Sequence, residues 1–242
     1  KKIKKMRIKK FNEVNFYNNE VKLRFYAFDW DDNILRMSTE ILMDKKVNGV
    51  WKETSVSTSE FAEVRTDTEN YRIRDNNPEV AFSRFRDDDS VNYFLEDTIK
   101  SIESGETAPS WDKFLKCLSE GALFAIITAR GHEEKTLREG VEWIIDNVLA
   151  KIPSDNLGRS LADEMYQNLK KYLYYFGGDQ PEDSELSGVP SENKIVKEYL
   201  DNCDFFGVSS KGFAERFDVG SALNPEENKK KALIHSIDRC VE

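Results

Sequence analysis

The chain has 242 residues, 39% of them hydrophobic and 12% aromatic, enough to fill a real core and too many for wholesale disorder. Its net charge of −9 conceals an asymmetry: seven of the 36 basic residues crowd into the first ten positions, "KKIKKMRIKK", leaving 29 against 45 acidic ones in the rest. So acidic a body argues against broad nucleic-acid binding, which depends on neutralising phosphates, and the longest apolar run, "ALFAII", is far too short to span a bilayer.

The length suits one large domain or a core with a sizeable insertion. Cys117, Cys203 and Cys240 are widely spaced and odd in number, and only His132 and His235 could join them, which speaks against a zinc site or a disulfide framework. Free thiols fit a reducing compartment, the cytoplasm or an organelle matrix reached after loss of a targeting segment. The basic arm, 1–20, reads as a solvated tail or the remnant of such a segment.

Residues 21–28 read as a buried strand. Next, Asn48-Gly49 sits between extended segments, and both residues tolerate positive φ, so a β-hairpin is expected over about 40–56. Ser57 followed by Glu60 predicts a capping box. Residues 65–89 are polar, and Asp87, Asp88 and Asp89 suit a helix N-terminus, where carboxylates meet the dipole. Helical spacing then places Val91, Phe94, Leu95, Ile99 and Ile102 on one face, stopping near Gly105. "APSWDKFLKCLSEG" repeats the pattern with Ser110 as cap and Gly121 as stop. A second buried strand covers 122–128. Helices follow over about 133–149 and 160–176, then a loop-like stretch over 177–193. "NKIVKEYLDNC" reads as helix, "DFFGVSS" as a short strand, and "NPEENKKKALIHSIDRC" as a terminal helix.

Buried strands alternating with helices predict an α/β fold with a parallel sheet flanked by helices. Roughly ninety residues separate the first two strands, too many for a simple crossover. The expected organisation is a core of 21–56 and 121–242, with a mostly helical cap insertion over 57–120.

In extended chain, Asp29 and Asp31 share a side of the first strand's end. Open α/β sheets bind ligands at that rim. Two close carboxylates repel unless a cation relieves them, and Mg²⁺ is the natural oxygen-seeking partner. A carboxylate so placed suggests nucleophilic catalysis through an aspartyl-phosphate. Repulsion between the two anions is about 4 kcal/mol at 4 Å and an effective dielectric of 20, for a metal and a lysine to offset. The second strand ends at Thr128, ahead of "ARGHEE" and a helix, a setting for a phosphate cradle or for a simple helix cap.

"FYAFDWDDNIL" resembles the first motif of the haloacid dehalogenase (HAD) superfamily, a strand followed by Asp-x-Asp, although Asn33 stands where Thr or Val is usual. "FAIITARG" resembles the second motif, and the hairpin and insertion match that family's flap and cap positions. The resemblance implies a HAD-like Rossmannoid fold and a Mg²⁺-dependent phosphatase for a small phosphorylated substrate. It implies Asp29 as nucleophile and Asp31 as acid and base, both holding metal. Phosphate would be held by Thr128, Ala129 and Lys194, with Lys197 as the fallback lysine. The fourth motif wants an acidic pair, but Ser209, Ser210 and Lys211 follow "DFFGV"; Asp179 and Asp183 are the rival source. Without those acids the alternative is a weakened or inactive HAD-like binding module. An EF-hand fails because Ile34 stands where Gly is needed and no helix precedes it; dinucleotide and P-loop motifs are absent.

Overall fold

A computed structural model describes residues 24–176, 192–219 and 224–241. The basic arm, the expected loop at 177–191 and the rival acids Asp179 and Asp183 lie outside the described residues.

The first strand, β1, is Phe25–Phe28. A hairpin follows, β2 (Ile41–Val47) and β3 (Val50–Val56), in unbroken antiparallel register from Ile41↔Val56 to Val47↔Val50. Asn48 and Gly49 turn it with φ of 52° and 80°, the positive values that the sequence implied. Ser57 and Glu60 form the expected capping box at the start of α1 (Thr58–Val64). A third strand, β4 (Tyr71–Ile73), pairs with β2 and makes the order β3-β2-β4. It lies within a stretch whose polarity hid it. Asp44 on β2 binds Arg72 and Arg74 around it, so charge pairing stands in for a hydrophobic signal.

The insertion continues through α2 (Pro78–Ala81), α3 (Tyr93–Glu103) and α4 (Trp111–Ser119). Asp87, Asp88 and Asp89 do not open α3, whose N-cap is Asn92. Asp87 instead accepts a hydrogen bond from Glu133 N, at the start of the helix after β5. Nor is the buried face of α3 purely the apolar one expected, for Thr98 and Ser101 are buried beside Phe94. There the helix approaches main chain closely, and Ser101 Oγ donates to Arg36 O. Ser110 occupies the N-cap of α4 without a side-chain capping bond.

After β5 (Leu123–Thr128) come α5 (Glu134–Asn147), α6 (Leu161–Phe176), α7 (Glu192–Leu200), β6 (Asp204–Gly207), α8 (Lys211–Phe217) and α9 (Pro225–Val241). Strands β1, β5 and β6 form a parallel sheet in that order. The protein is thus mixed α/β, a small parallel sheet flanked by helices. Strand β1 is only half-buried rather than fully so, with Ala27 exposed, because among the described residues it pairs on one side only.

Alternation along β5 divides the core. Phe124 and Ile126 face the larger cluster, with Trp30, Phe94, Phe114, Leu118, Leu137 and Phe205. Ala125 and Ile127 face the smaller one, with Phe206, Val208, Phe213 and Ala232. The insertion's helices α3 and α4 contribute to the larger cluster and so pack as part of the sheet's own core. A third cluster, around Ile41, Met43 and Val56, sits under the hairpin.

Candidate active site

The chain leaves β1 in a tight turn. Ile34 N and Leu35 N both donate to Trp30 O, and Asp32 takes φ of 56°. Trp30, fully buried, plugs into the core against Phe94 at 4.8 Å between ring centroids, which anchors the residue between the two aspartates.

Asp29 Oδ1 accepts from Trp30 N at 2.8 Å, and Asp29 Oδ2 meets Lys229 Nζ at 2.7 Å. Lys229 comes from the first turns of α9, two hundred positions away. Asn228 Nδ2, buried beside it, donates to Val208 O and docks the helix over the end of β6. Lys194 does not take this place: it lies exposed on α7, as does Lys197. Among the described residues, the lysine at Asp29 is Lys229.

Asp31 has a different cationic partner. Arg130, 1% exposed in its side chain, grips it with both prongs of its fork: Nε to Oδ2 at 2.8 Å and Nη2 to Oδ1 at 2.7 Å. Nη2 also donates to Thr39 Oγ1 at 2.7 Å, and Thr39 Oγ1 donates to Asp97 Oδ2 at 2.6 Å on α3. The guanidinium stacks over Phe85 and Phe94. Its remaining nitrogen, Nη1, is buried with no hydrogen-bond partner among the described residues. Sequence reasoning noticed Arg130 only as a neighbour of His132; nothing local announces its contact with Asp31.

Thr128, fully buried at the end of β5, points its hydroxyl to Asp31 Oδ2 at 3.4 Å, so the first and second motifs do meet. Ala129 beside it is exposed. Gly207 ends β6 at a point where any side chain would strike His132 O and Arg130 O, which keeps the loop after β5 pressed against the sheet. His132 is buried, and burial with the Arg130 charge lowers its pKa to about 3, so the ring is neutral at pH 7. It borders a groove of about 270 Å³ lined also by Asp87, Asp89 and Glu139.

The end of β6 supplies no acid. Ser210 is buried and its Oγ accepts from Phe213 N as the cap of α8; Ser209 N is held by Arg130 O. Among the described residues no three His, Cys, Asp or Glu side chains converge as a metal-holding group. Mg²⁺, however, is ordinarily held by one or two carboxylates together with substrate phosphates and water. Asp29, the more exposed of the pair, fits that requirement; Asp31, with both oxygens bonded to Arg130, fits it less well.

No family profile, curated protein or solved structure matches the chain. Among the described residues, no helix is long and apolar enough to cross a membrane.

Proposed function

We propose that the protein is a HAD-like phosphohydrolase that cleaves a small phosphomonoester through an aspartyl-phosphate on Asp29. The observation that carries this reading is the Asp29–Lys229 contact at the carboxyl rim of a parallel sheet, beside Asp31 and Thr128. A nucleophile for phosphorus must keep a lone pair exposed while a fixed cation draws the phosphate in, and Lys229 can serve both anions.

Asp29 attacks phosphorus, and the bond to the leaving oxygen breaks. Water then attacks the phosphorus of the aspartyl-phosphate; Asp31 accepts its proton, and Asp29 is released with inorganic phosphate. Thr128 and the main chain at Ala129 are placed to hold phosphate oxygens.

Charge arithmetic supports Mg²⁺ as cofactor. Asp29 and Asp31 are balanced by Lys229 and Arg130, so a bound phosphate dianion leaves two negative charges unmatched. Asp29 would hold the ion, which would supply Lewis-acid stabilisation of the phosphoryl oxygens.

The test is hydrolysis of p-nitrophenyl phosphate with Mg²⁺, with EDTA, and with Asp29→Asn. The expected outcome is turnover that the chelator suppresses and the substitution abolishes. The second reading, a binding module, is favoured by the serines at the end of β6; turnover that survives Asp29→Asn, or none across a panel of phosphates, selects it.

A further inference from the structure

We propose that the site selects phosphates whose leaving group departs without a proton, such as aryl phosphates, acyl phosphates and phosphoanhydrides, because Arg130 occupies the hydrogen-bonding capacity of Asp31 that a general acid would need. This rests on the phosphohydrolase reading above and narrows its substrate class.

The geometry of Asp31 is the ground for it. To hand a proton to a leaving oxygen, a carboxyl group must carry that proton on an oxygen turned toward substrate. Both oxygens of Asp31 already receive guanidinium hydrogens at 2.7 and 2.8 Å, and Oδ2 receives the Thr128 hydroxyl as well. A proton on either oxygen competes with a charge-assisted bond.

Nor is the grip easily released. Arg130 is 1% exposed and its Nη1 already lacks a partner among the described residues. Losing Asp31 would leave a buried guanidinium with one neutral hydroxyl, and breaking one side of a buried pair is far costlier than breaking a surface pair. The chain Asp31–Arg130–Thr39–Asp97 then fastens the arrangement to α3. Arg130 and Thr39 are therefore positioning residues.

What remains open to Asp31 is the other half of the reaction, accepting a proton from water. In the first half, Asp29 forms its bond to phosphorus, and the leaving oxygen takes the electron pair of the broken bond and departs as an anion. Acidic phenols, carboxylic acids and phosphates tolerate this. Alkoxides do not.

The experiment is a leaving-group series on the full chain with Mg²⁺: p-nitrophenyl phosphate, less activated phenyl phosphates, phenyl phosphate and glycerol phosphate. The expected kcat/KM falls steeply along the series, by about 10²–10⁴-fold from first to last, the worth of a missing general acid. Arg130→Lys offers one nitrogen in place of the fork and frees an oxygen of Asp31. It is expected to flatten the series, raising glycerol phosphate relative to p-nitrophenyl phosphate by about tenfold or more. A merely structural role for Arg130 would depress all substrates alike. The wild-type series stands alone if that variant does not fold. Asp29-dependent turnover with a flat series overturns this inference and leaves the phosphohydrolase reading standing. Absence of turnover on every member overturns both.

Discussion

Lys229 owes its place at Asp29 to the small side chains behind it. Asn228, Ala232 and Ser236 recur every four residues along α9 and are its buried positions. They let the helix lie close to the sheet, and Ala232 joins the cluster of Ala125 and Ile127. The flanking lysine is thereby delivered to the rim rather than to solvent. In the sequence, "NKKKAL" reads as a solvated run, and a stripe of Asn, Ala and Ser gives no apolar period to detect. Lys229→Ala is expected to lower kcat/KM for p-nitrophenyl phosphate by about 10²–10³-fold, the usual loss for one preorganised electrostatic group, whereas Lys194→Ala leaves it unchanged. Equal effects of the two would remove Lys229 from the site. His132 makes a different prediction. Its pKa, pushed from 6.5 to about 3 by burial and by Arg130, is depressed in the folded state. Below pH 6.5 the unfolded chain therefore takes up a proton that the folded chain refuses. The stabilisation from the neutral ring is complete above that pH and is lost as the pH falls toward 3. At about 1.4 kcal/mol per unit, the loss reaches a few kcal/mol. His132→Gln should flatten the dependence of the urea midpoint between pH 7 and pH 4. His235, lowered by burial and Arg216, remains in that variant and sets the residual slope.

Elements governed by neighbouring residues were legible, and elements governed by distant ones were not. The hairpin was readable because Asn48-Gly49 encodes its turn in two residues. So was α1, because Ser57 and Glu60 satisfy each other's main chain within one turn. Strand β4 escaped because its pairing with β2 is made through Arg72 and Asp44, which look like surface charges in one dimension. Arg130 and Lys229 escaped for the same reason: each meets its aspartate only after about a hundred or more intervening residues fold. Helix packing gives a test at this scale. Gly140 lies on α5 where α3 crosses, and a Cβ there would stand 2.6 Å from Phe94 Cε1. Phe94 cannot yield, being fully buried against Trp30 and His132. Alanine favours helix over glycine by up to about 1 kcal/mol, but overpacking a closed core costs typically about 1–3 kcal/mol. Gly140→Ala should therefore lower the urea midpoint. A raised midpoint would mean that α3 and α5 are not packed this closely.

Across the molecule, the two cations of the site are held by opposite layers of one sheet. Lys229 arrives on α9, which packs on the face of β5 that carries Ala125 and Ile127. Arg130 is braced from the other face, through Thr39 and Asp97, by α3, whose Phe94 packs with Phe124 and Ile126. The spacing of Asp29 and Asp31 from their partners thus depends on both layers being folded at once. The hairpin sheet stands apart from this. Its cluster has three buried side chains, Ile41, Met43 and Val56, and is otherwise lined by partly buried ones. So thin a core supports little opening free energy, because local stability follows the apolar contact that an opening must break. Native-state hydrogen exchange should therefore resolve two tiers. Amides of β2, β3 and β4 should exchange through a low-energy local opening, while those of β5 and α5, with α3 and α4 joined to the same core, should exchange only through global unfolding. Phe114→Ala, which empties a fully buried ring position in the larger cluster, should cost about 3–5 kcal/mol. It should lower protection throughout α3, α4, β5 and α5 by one common amount and leave the hairpin's protection nearly as it was. If α3 and α4 instead lost protection while β5 and α5 kept theirs, the insertion would be a separate folding unit, and the link from Asp97 through Arg130 to Asp31 would join two independently mobile bodies.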